Sequence, residues 1–434
     1  LYTRSFVLWL ENEKLINNNI IVVGRDARIS GKMISSLVAN TLVGLGIDVI
    51  DLGFSTTPTV EIAVPLEEAD GGIILTASHN PKQWNALKLL NEKGEFLNDQ
   101  DGKEILTIAE NDDYEFSNVD QLGSYTKKNG YIEKHIQEVL SLELVDVLAI
   151  KAARFKVVVD AVNSTGGIAI PLLLKELDVE CVELYCEPNG QFPHNPEPLK
   201  ENLTDISDLV VKENADFGIA VDPDVDRLAL ICEDGSMFGE EYTLVACADY
   251  VLERLGGGNT VSNLSSSRAL KDVTKKHGGT YTPSAVGEVN VVAKMKETNT
   301  VIGGEGNGGI IYPASHYGRD SLVGIALFLS HLAKKNISCK TLRASYPSYY
   351  MSKNKIQLTP QINIEKLLDS MASRYASEEV NTVDGVKIDF EHEWIHFRKS
   401  NTEPIIRIYT ESITQEKADQ LAKQFMMEIN QMIS

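Results

Sequence analysis

Ser78 is placed to act as a nucleophile. It lies in Thr76-Ala77-Ser78-His79-Asn80-Pro81, directly after Gly71-Gly72-Ile73-Ile74-Leu75. That short apolar run reads as a central strand of an α/β sheet. Ligands bind just beyond the carboxyl ends of such strands. A hydroxyl next to an imidazole, in a loop halted by Asn-Pro, suits attack on an electrophile if a neighbour assists it. An ordinary strand-to-helix connection is the competing reading, and the six residues alone leave both open.

Asp222, Asp224 and Asp226 alternate in Asp222-Pro223-Asp224-Val225-Asp226-Arg227. In an extended segment such positions project to one side, so the three carboxylates converge. That concentration of negative charge calls for a cation, and oxygen-only ligation suits a hard ion such as Mg²⁺. A calcium EF-hand loop is the rival, with Glu233 twelfth when Asp222 is counted first. However, Arg227 stands sixth, where Gly makes the sharp turn. The flanks Phe217–Val221 and Leu228–Cys232 also read as strands rather than helices.

Two further loops carry chemistry. Gly303-Gly304-Glu305-Gly306-Asn307-Gly308-Gly309 allows close backbone approach, while Glu305 and Asn307 can bind adjacent sugar hydroxyls. It lacks the GxGxxG-then-helix context of a dinucleotide site. A flexible turn is the plain alternative. Arg398-Lys399-Ser400-Asn401-Thr402-Glu403-Pro404, with Arg407 beyond, combines cations with fixed hydroxyl and amide donors, a cradle for a phosphate dianion. Lys88, ten residues after Ser78, can shuttle a proton near a metal and phosphates or stand as a surface lysine. His79 is open between proton transfer and loop hydrogen bonding.

The elements needed to hold these groups repeat. A strand from Ile20 enters Gly24-Arg25-Asp26 and a helix at about Lys32–Leu45, then strands Ile47–Leu52 and Gly72–Leu75. The order recurs as strand Lys156–Val159, a helix to Leu177, and strands Val179–Tyr185 and Phe217–Val221. It recurs again as Thr260–Ser262, helix Ala269–His277, strand Gly279–Pro283 and Thr300–Ile302. The serine, carboxylate and glycine loops thus follow the late strand of three successive α/β modules with mixed, mostly parallel sheets. The last segment reads as a smaller α+β domain: helix Ile364–Tyr375, strands Val386–Phe390, Trp394–Phe397 and Ile405–Tyr409, and a helix from Gln415 to about Met432. The expected domains are 1–127, 128–236, 237–345 and 346–434.

Composition narrows the function class. At 434 residues the chain exceeds a single core. Its net charge of −21 argues against nucleic acid or an anionic membrane as partner. An anionic substrate would therefore need local Arg, Lys or metal charge. Cys181, Cys186, Cys232, Cys247 and Cys339 form no CxxC pair, which points to reduced thiols in a cytoplasmic protein. No apolar run approaches membrane-spanning length. Ser5–Leu10 is too short for a signal core and reads as the end of an amphipathic helix. With Leu as first residue, an amino-terminal piece is expected to precede this chain.

Together these residues resemble the α-D-phosphohexomutase family (phosphoglucomutases, phosphomannomutases and phosphoglucosamine mutases) over essentially the whole chain. Thr76–Pro81 is similar to its phosphoserine loop, Asp222–Arg227 to its metal loop, Gly303–Gly309 to its sugar loop and Arg398–Arg407 to its phosphate loop. The resemblance implies a heart-shaped, four-domain isomerase around a central cleft, acting as a monomer or homodimer on a small phosphosugar. It implies Mg²⁺ on Asp222, Asp224, Asp226 and a Ser78 phosphate oxygen, and a hexose bisphosphate as activator and intermediate. Arg227 would stabilise transferred charge, and Lys88 and His79 would manage protons. Glu305 and Asn307 would hold the sugar, and Arg398, Ser400, Asn401, Thr402 and Arg407 the non-reacting phosphate. Two departures stand out. The family's amino-terminal Arg-Gly loop would precede Leu1, and Gly309 replaces a histidine that many bacterial members carry. The Asn-Gly-Gly form resembles archaeal-type members and slightly favours glucosamine phosphate. A non-catalytic sugar-phosphate-binding or calcium-binding homologue is the alternative.

Overall fold

The computed structural model describes residues 1–111, 115–357, 363–399 and 404–433. Among the described residues, eighteen strands form four sheets. The first comprises β1 (Ile20–Arg25), β2 (Asp48–Phe54), β3 (Gly71–Leu75), β4 (Leu87–Leu90) and β5 (Tyr125–Lys127), in the order β4-β3-β1-β2-β5. The second holds β6 (Lys156–Asp160), β7 (Glu180–Leu184), β8 (Phe217–Val221) and β9 (Leu228–Cys232), ordered β7-β6-β8-β9. The third holds β10 (Thr260–Asn263), β11 (Tyr281–Ser284), β12 (Ile302–Glu305) and β13 (Gly309–Ile311), ordered β11-β10-β12-β13.

Apart from the edge strand β5, the three sheets share one topology. A first strand lies between two parallel partners, and a fourth strand runs antiparallel to the third. Loop length explains the reversal. A parallel crossover needs about a dozen residues or more, and the links Thr76–Ala86, Asp222–Arg227 and Gly306–Gly308 are each shorter. The chain therefore turns straight back, and each turn leaves its polar residues at the carboxyl end of a central strand. The strands feeding them are almost continuously apolar, and β3, β8 and β9 are buried along their whole length, as strands covered on both faces require.

The expected repetition is present, with one change of detail. Gly303, Gly304 and Glu305 belong to β12 and Gly309 to β13, so the glycine loop is two strand ends joined by a three-residue turn. Glycine cannot drive a loop where flanking residues complete a ladder, and Gly303 and Gly304 pair with Ile311 and Ile310. The amino-terminal apolar run forms the helix Tyr2–Asn12, whose Phe6, Val7 and Leu10 are buried.

The fourth sheet contains β14 (Tyr350–Gln357), β15 (Glu379–Asn381), β16 (Val386–Asp389), β17 (Trp394–Lys399) and β18 (Ile405–Ser412), ordered β14-β18-β17-β16-β15 and wholly antiparallel. Leu367 and Met371 of helix Ile364–Arg374 and Phe425 and Ile429 of helix Gln415–Ile433 close its core with Ile388, Phe397 and Ile408. Burying each such side chain contributes roughly 1.5–3 kcal/mol. The second and third modules, by contrast, share one continuous core from Ile132 to Tyr346. No helix among the described residues is long and apolar enough to cross a membrane.

Candidate active site

Ser78 sits at the carboxyl end of β3 with φ of +47°, a left-handed conformation that is uncommon for a residue with a Cβ and is stored only where neighbours enforce it. The enforcing residue is Arg28. Its guanidinium donates to the carbonyls of Ser78, Asn80, Pro81 and Trp84, with 2.8 Å to Asn80 and Pro81 and 3.0 Å to Trp84. Asp26 holds Arg28 in turn, its Oδ2 accepting from Nε at 2.9 Å and from the Thr76 hydroxyl at 2.7 Å. Both charged residues are fully buried. Burial, working against the Arg28 charge, pushes the Asp26 carboxyl up to about 6.

The turn at 222–227 brings the second module to the serine. Ser78 Oγ donates to Asp222 Oδ2 at 3.1 Å and lies 3.3 Å from His79 Nδ1. Asp222, Asp224 and Asp226 are all buried and converge, with one carboxylate oxygen from each within 4.8 Å of the others. The segment is not extended, contrary to the alternation argument. It is a tight turn with Val225 at φ +64°, a strained position for a β-branched residue. Asp222 Oδ1 ties the turn by accepting from the Asp226 and Arg227 amides, both at 3.2 Å. The strands β8 and β9 that flank it pair with each other, so the helix–loop–helix frame of an EF-hand is absent. Glu233 instead accepts from the Lys340 amide.

The carboxylates are partly neutralised by cations from two other modules. Lys88, on β4, donates to Asp224 Oδ2 at 2.7 Å and Asp226 Oδ2 at 3.1 Å. Arg319 donates to the same Asp226 oxygen at 2.7 Å. Burial opposes the Lys88 ammonium, but Asp224 and Asp226 outweigh it and raise its pKa. Two carboxylates thus stabilise the charged form of Lys88, which sets it apart from a solvated surface lysine. Arg319 and Lys88 in turn hold Asp226 low against burial. Burial, with Asp226 and Asp224 adding to it, raises Asp222 well above the usual carboxylate range.

Asp224 Oδ1 and Asp226 Oδ1 are buried with no hydrogen-bond partner. Bare buried carboxylate oxygens are costly, and the all-oxygen donor set fits a hard divalent ion. His79 is kept neutral, since burial and the adjacent Arg227 push its imidazole down to about 4. Arg227 lies 3.9 Å from Asp222 and 3.4 Å from Glu197.

Arg319 also joins the third module to the centre, donating to Glu305 Oε2 at 2.9 Å and Glu288 Oε2 at 3.0 Å. Glu305 Oε1 further accepts from Asn263 at 2.9 Å and the Gly287 amide at 3.2 Å. Asn307 reaches Glu305 only at 3.5 Å. The turn docks on the second module through Gly308 (φ +86°), where a Cβ would stand 2.3 Å from the Leu228 carbonyl oxygen. Behind Lys88 runs a buried chain. His316 lies 3.3 Å from Glu61 and 3.2 Å from Asp320, and His135 lies 2.8 Å from the same Asp320 oxygen.

In the fourth module, Arg398 on β17 and Arg407 on β18 are direct cross-strand partners, and Lys355 on β14 pairs with Arg407 from the other side. Arg398 also lies 3.8 Å from Asp384, and a row of cations is a surface suited to a phosphate. Ser400, Asn401 and Thr402 lie outside the described residues. A cleft of about 1370 Å³, lined chiefly by first-module residues, has Lys88, Arg319, Glu288 and Lys399 in its walls.

Arg28, Thr57, Arg319, Lys355, Glu61 and His316 were missed by sequence reasoning. Arg28 offered one signal, a second arginine after Gly24-Arg25-Asp26. The Thr57 hydroxyl, which donates to Asp224 Oδ2 at 2.6 Å across 167 residues, offered none.

A strand-end serine hydroxyl, a carboxylate trio and basic side chains gathered around one centre are the site of a phosphohexomutase. The four phosphoglucomutase/phosphomannomutase domain descriptions match in order: alpha/beta/alpha domains I, II and III at residues 2–116, 129–235 and 239–350, and the C-terminal domain at 359–428. The chain belongs to the phosphoglucomutase/phosphomannomutase family. It is 36% identical over 403 residues to a phosphoglucomutase/phosphomannomutase of Thermococcus kodakarensis, covering 92% of this chain and 87% of that one. It is 31% identical over 413 residues to a phosphoglucosamine/phosphogalactosamine mutase of Sulfurisphaera tokodaii, covering 94% and 90%. A solved family protein from Burkholderia thailandensis superposes with a TM-score of 0.84 at 26% identity, over 98% and 91% of the two chains.

Proposed function

We propose that this enzyme interconverts hexose 6-phosphate and hexose 1-phosphate through a phosphorylated Ser78, with glucosamine phosphate the preferred substrate. The observation that carries the reading is the 3.1 Å contact between Ser78 Oγ and Asp222, beside two buried carboxylate oxygens that lack partners. Asp222, Asp224 and Asp226 would hold Mg²⁺, which supplies Lewis-acid stabilisation of phosphoryl charge.

The phosphoryl group passes from Ser78 Oγ to a sugar hydroxyl; that hydroxyl's proton goes to a base, and Ser78 Oγ takes up a proton as its bond to phosphorus breaks. The bound bisphosphate reorients, and its other phosphoryl returns to Ser78. Neutral His79, 3.3 Å from Ser78 Oγ, is suited to accept or return the proton. Lys88 serves once its carboxylate partners are neutralised. Arg227 draws charge from the phosphoryl in flight. Arg398 and Arg407, with Ser400, Asn401 and Thr402, hold the non-reacting phosphate, while Glu305 and Asn307 contact the sugar. Several relatives at 30–33% identity carry the name "probable phosphoglucosamine mutase", which favours the amino sugar, and the relative named for both glucosamine and galactosamine leaves the 4-hydroxyl as the point to probe.

The test is turnover of glucosamine, glucose and mannose phosphates with a bisphosphate activator, beside intact mass of the enzyme. A phosphate adduct on Ser78 and fastest turnover of glucosamine phosphate are expected. A faster reaction with glucose or mannose phosphate would overturn the sugar assignment, and no adduct the phosphoserine.

A further inference from the structure

Helices Glu240–Leu255 and Ser321–Lys335 pack together in the core shared by the second and third modules. Asp249 and Glu253 lie one turn apart on the first helix and so share a face. Toward them the second helix turns His331, which is fully buried. His331 Nδ1 lies 3.0 Å from the Ala246 carbonyl oxygen. A carbonyl only accepts, so Nδ1 carries the proton and Nε2 turns outward.

Nε2 has no hydrogen-bond partner. The oxygen it faces, Asp249 Oδ2, is 3.7 Å away, whereas an N–H donor would draw a carboxylate to about 3.2 Å or less. A nitrogen lone pair and a carboxylate oxygen thus face each other in a buried place. That arrangement costs free energy unless a cation joins the two. The ligand atoms of Asp249, Glu253 and His331 all lie within 4.8 Å of one another. Two ligands on a tetrahedral zinc ion stand about 3.4 Å apart, given bonds of about 2.0–2.1 Å.

We propose that Asp249, Glu253 and His331 form a second metal site, for a borderline divalent transition ion such as Zn²⁺ or Co²⁺. An imidazole with two carboxylates selects such ions over Mg²⁺. The surroundings are built to orient the ligands. Asp249 Oδ1 accepts from His277 Nε2 at 2.7 Å and Lys276 Nζ at 3.1 Å, which leaves Oδ2, touched by the Tyr346 hydroxyl at 3.2 Å, turned toward His331. The Tyr250 ring stacks on His331 at 5.4 Å. Glu253 is exposed and gives the entry path. Its partner Lys335, 2.7 Å away and one-third exposed, is free to move into solvent as the ion enters. The site stands apart from the catalytic centre, since His331 is roughly 15 Å along its helix from Ser321, two residues after Arg319, at 1.5 Å per residue. Its effect is to pin two helices whose other ends lead to Glu241, beside the sugar turn, and to Arg319.

The test uses full-length, chelator-stripped protein with saturating Mg²⁺, titrated with Zn²⁺ by calorimetry and with Co²⁺ by visible absorption. About one equivalent of Zn²⁺ is expected, with binding weakened roughly tenfold or more in His331→Gln and in Glu253→Gln. Asp226→Asn should leave it unchanged. Glu253→Gln alters only an exposed side chain, so it keeps the test sound if His331→Gln does not fold. No Zn²⁺ uptake, uptake unaffected by either substitution, or uptake lost in Asp226→Asn would each overturn the proposal.

Discussion

Arg28 and Ser78 form one unit: the Arg28 guanidinium donates to the Ser78 carbonyl and to three further carbonyls of the same loop. A residue fifty positions earlier therefore sets the backbone of the proposed nucleophile. Removing the side chain leaves Asp26 buried without its countercharge, so Arg28→Ala should lose about 3–5 kcal/mol of stability. Arg28→Lys, a point charge without the fork, should keep more stability yet lower kcat by about a hundredfold. Denaturant unfolding and turnover of both variants check this, and an Arg28→Lys enzyme of full activity would refute it.

Ser78→Ala removes the proposed phosphoryl acceptor and an exposed-side contact to Asp222. Mutase activity should fall by about a thousandfold or more, and any phosphate adduct should vanish from the intact mass. Folding stability should change by less than about 1 kcal/mol. Retained turnover would assign the nucleophile elsewhere.

Lys88 holds Oδ2 of Asp224 and of Asp226, at 2.7 and 3.1 Å, while their Oδ1 oxygens stand free for a divalent ion. Ion and ammonium then share the same two carboxylates and repel each other. Lys88→Met should bind Mg²⁺ about tenfold more tightly, near 1.4 kcal/mol, while losing activity. Calorimetry at fixed ionic strength reads the affinity, and weaker binding in the variant would count against the repulsion.

His316 lies between Glu61 and Asp320. Burial opposes its charge, but those two carboxylates raise its pKa from 6.5 to about 10. A base held more tightly protonated when folded stabilises the fold below its unfolded value and loses that contribution as pH rises. The stability difference between wild type and His316→Asn should thus be full below pH 6.5 and fade by about pH 10. Unfolding free energies measured across that window decide it, and a difference that does not change with pH would contradict the charge assignment.

The module pattern was legible because apolar runs and turn residues are local signals. Strand β8 and the carboxylate turn stood where alternation and flanking apolarity placed them, and loops too short for a crossover set where the chain doubles back. The convergence of the carboxylates was also legible, although for the wrong local reason. A strained turn at Val225 gathers them, not an extended strand, because the backbone of a β8–β9 hairpin must reverse there.

By itself, then, the sequence determined which groups could do chemistry and the strand ends that carry them. Tertiary structure alone decided which groups partner one another: Arg28 with Asp26, Arg319 with Asp226, His316 with Glu61 and Asp320, and the Thr57 hydroxyl with Asp224. Three of these pairs, Arg319 with Asp226, Thr57 with Asp224 and His316 with Glu61, join different modules. Burial then sets their protonation and strength, and burial is a property of packing that no stretch of sequence contains.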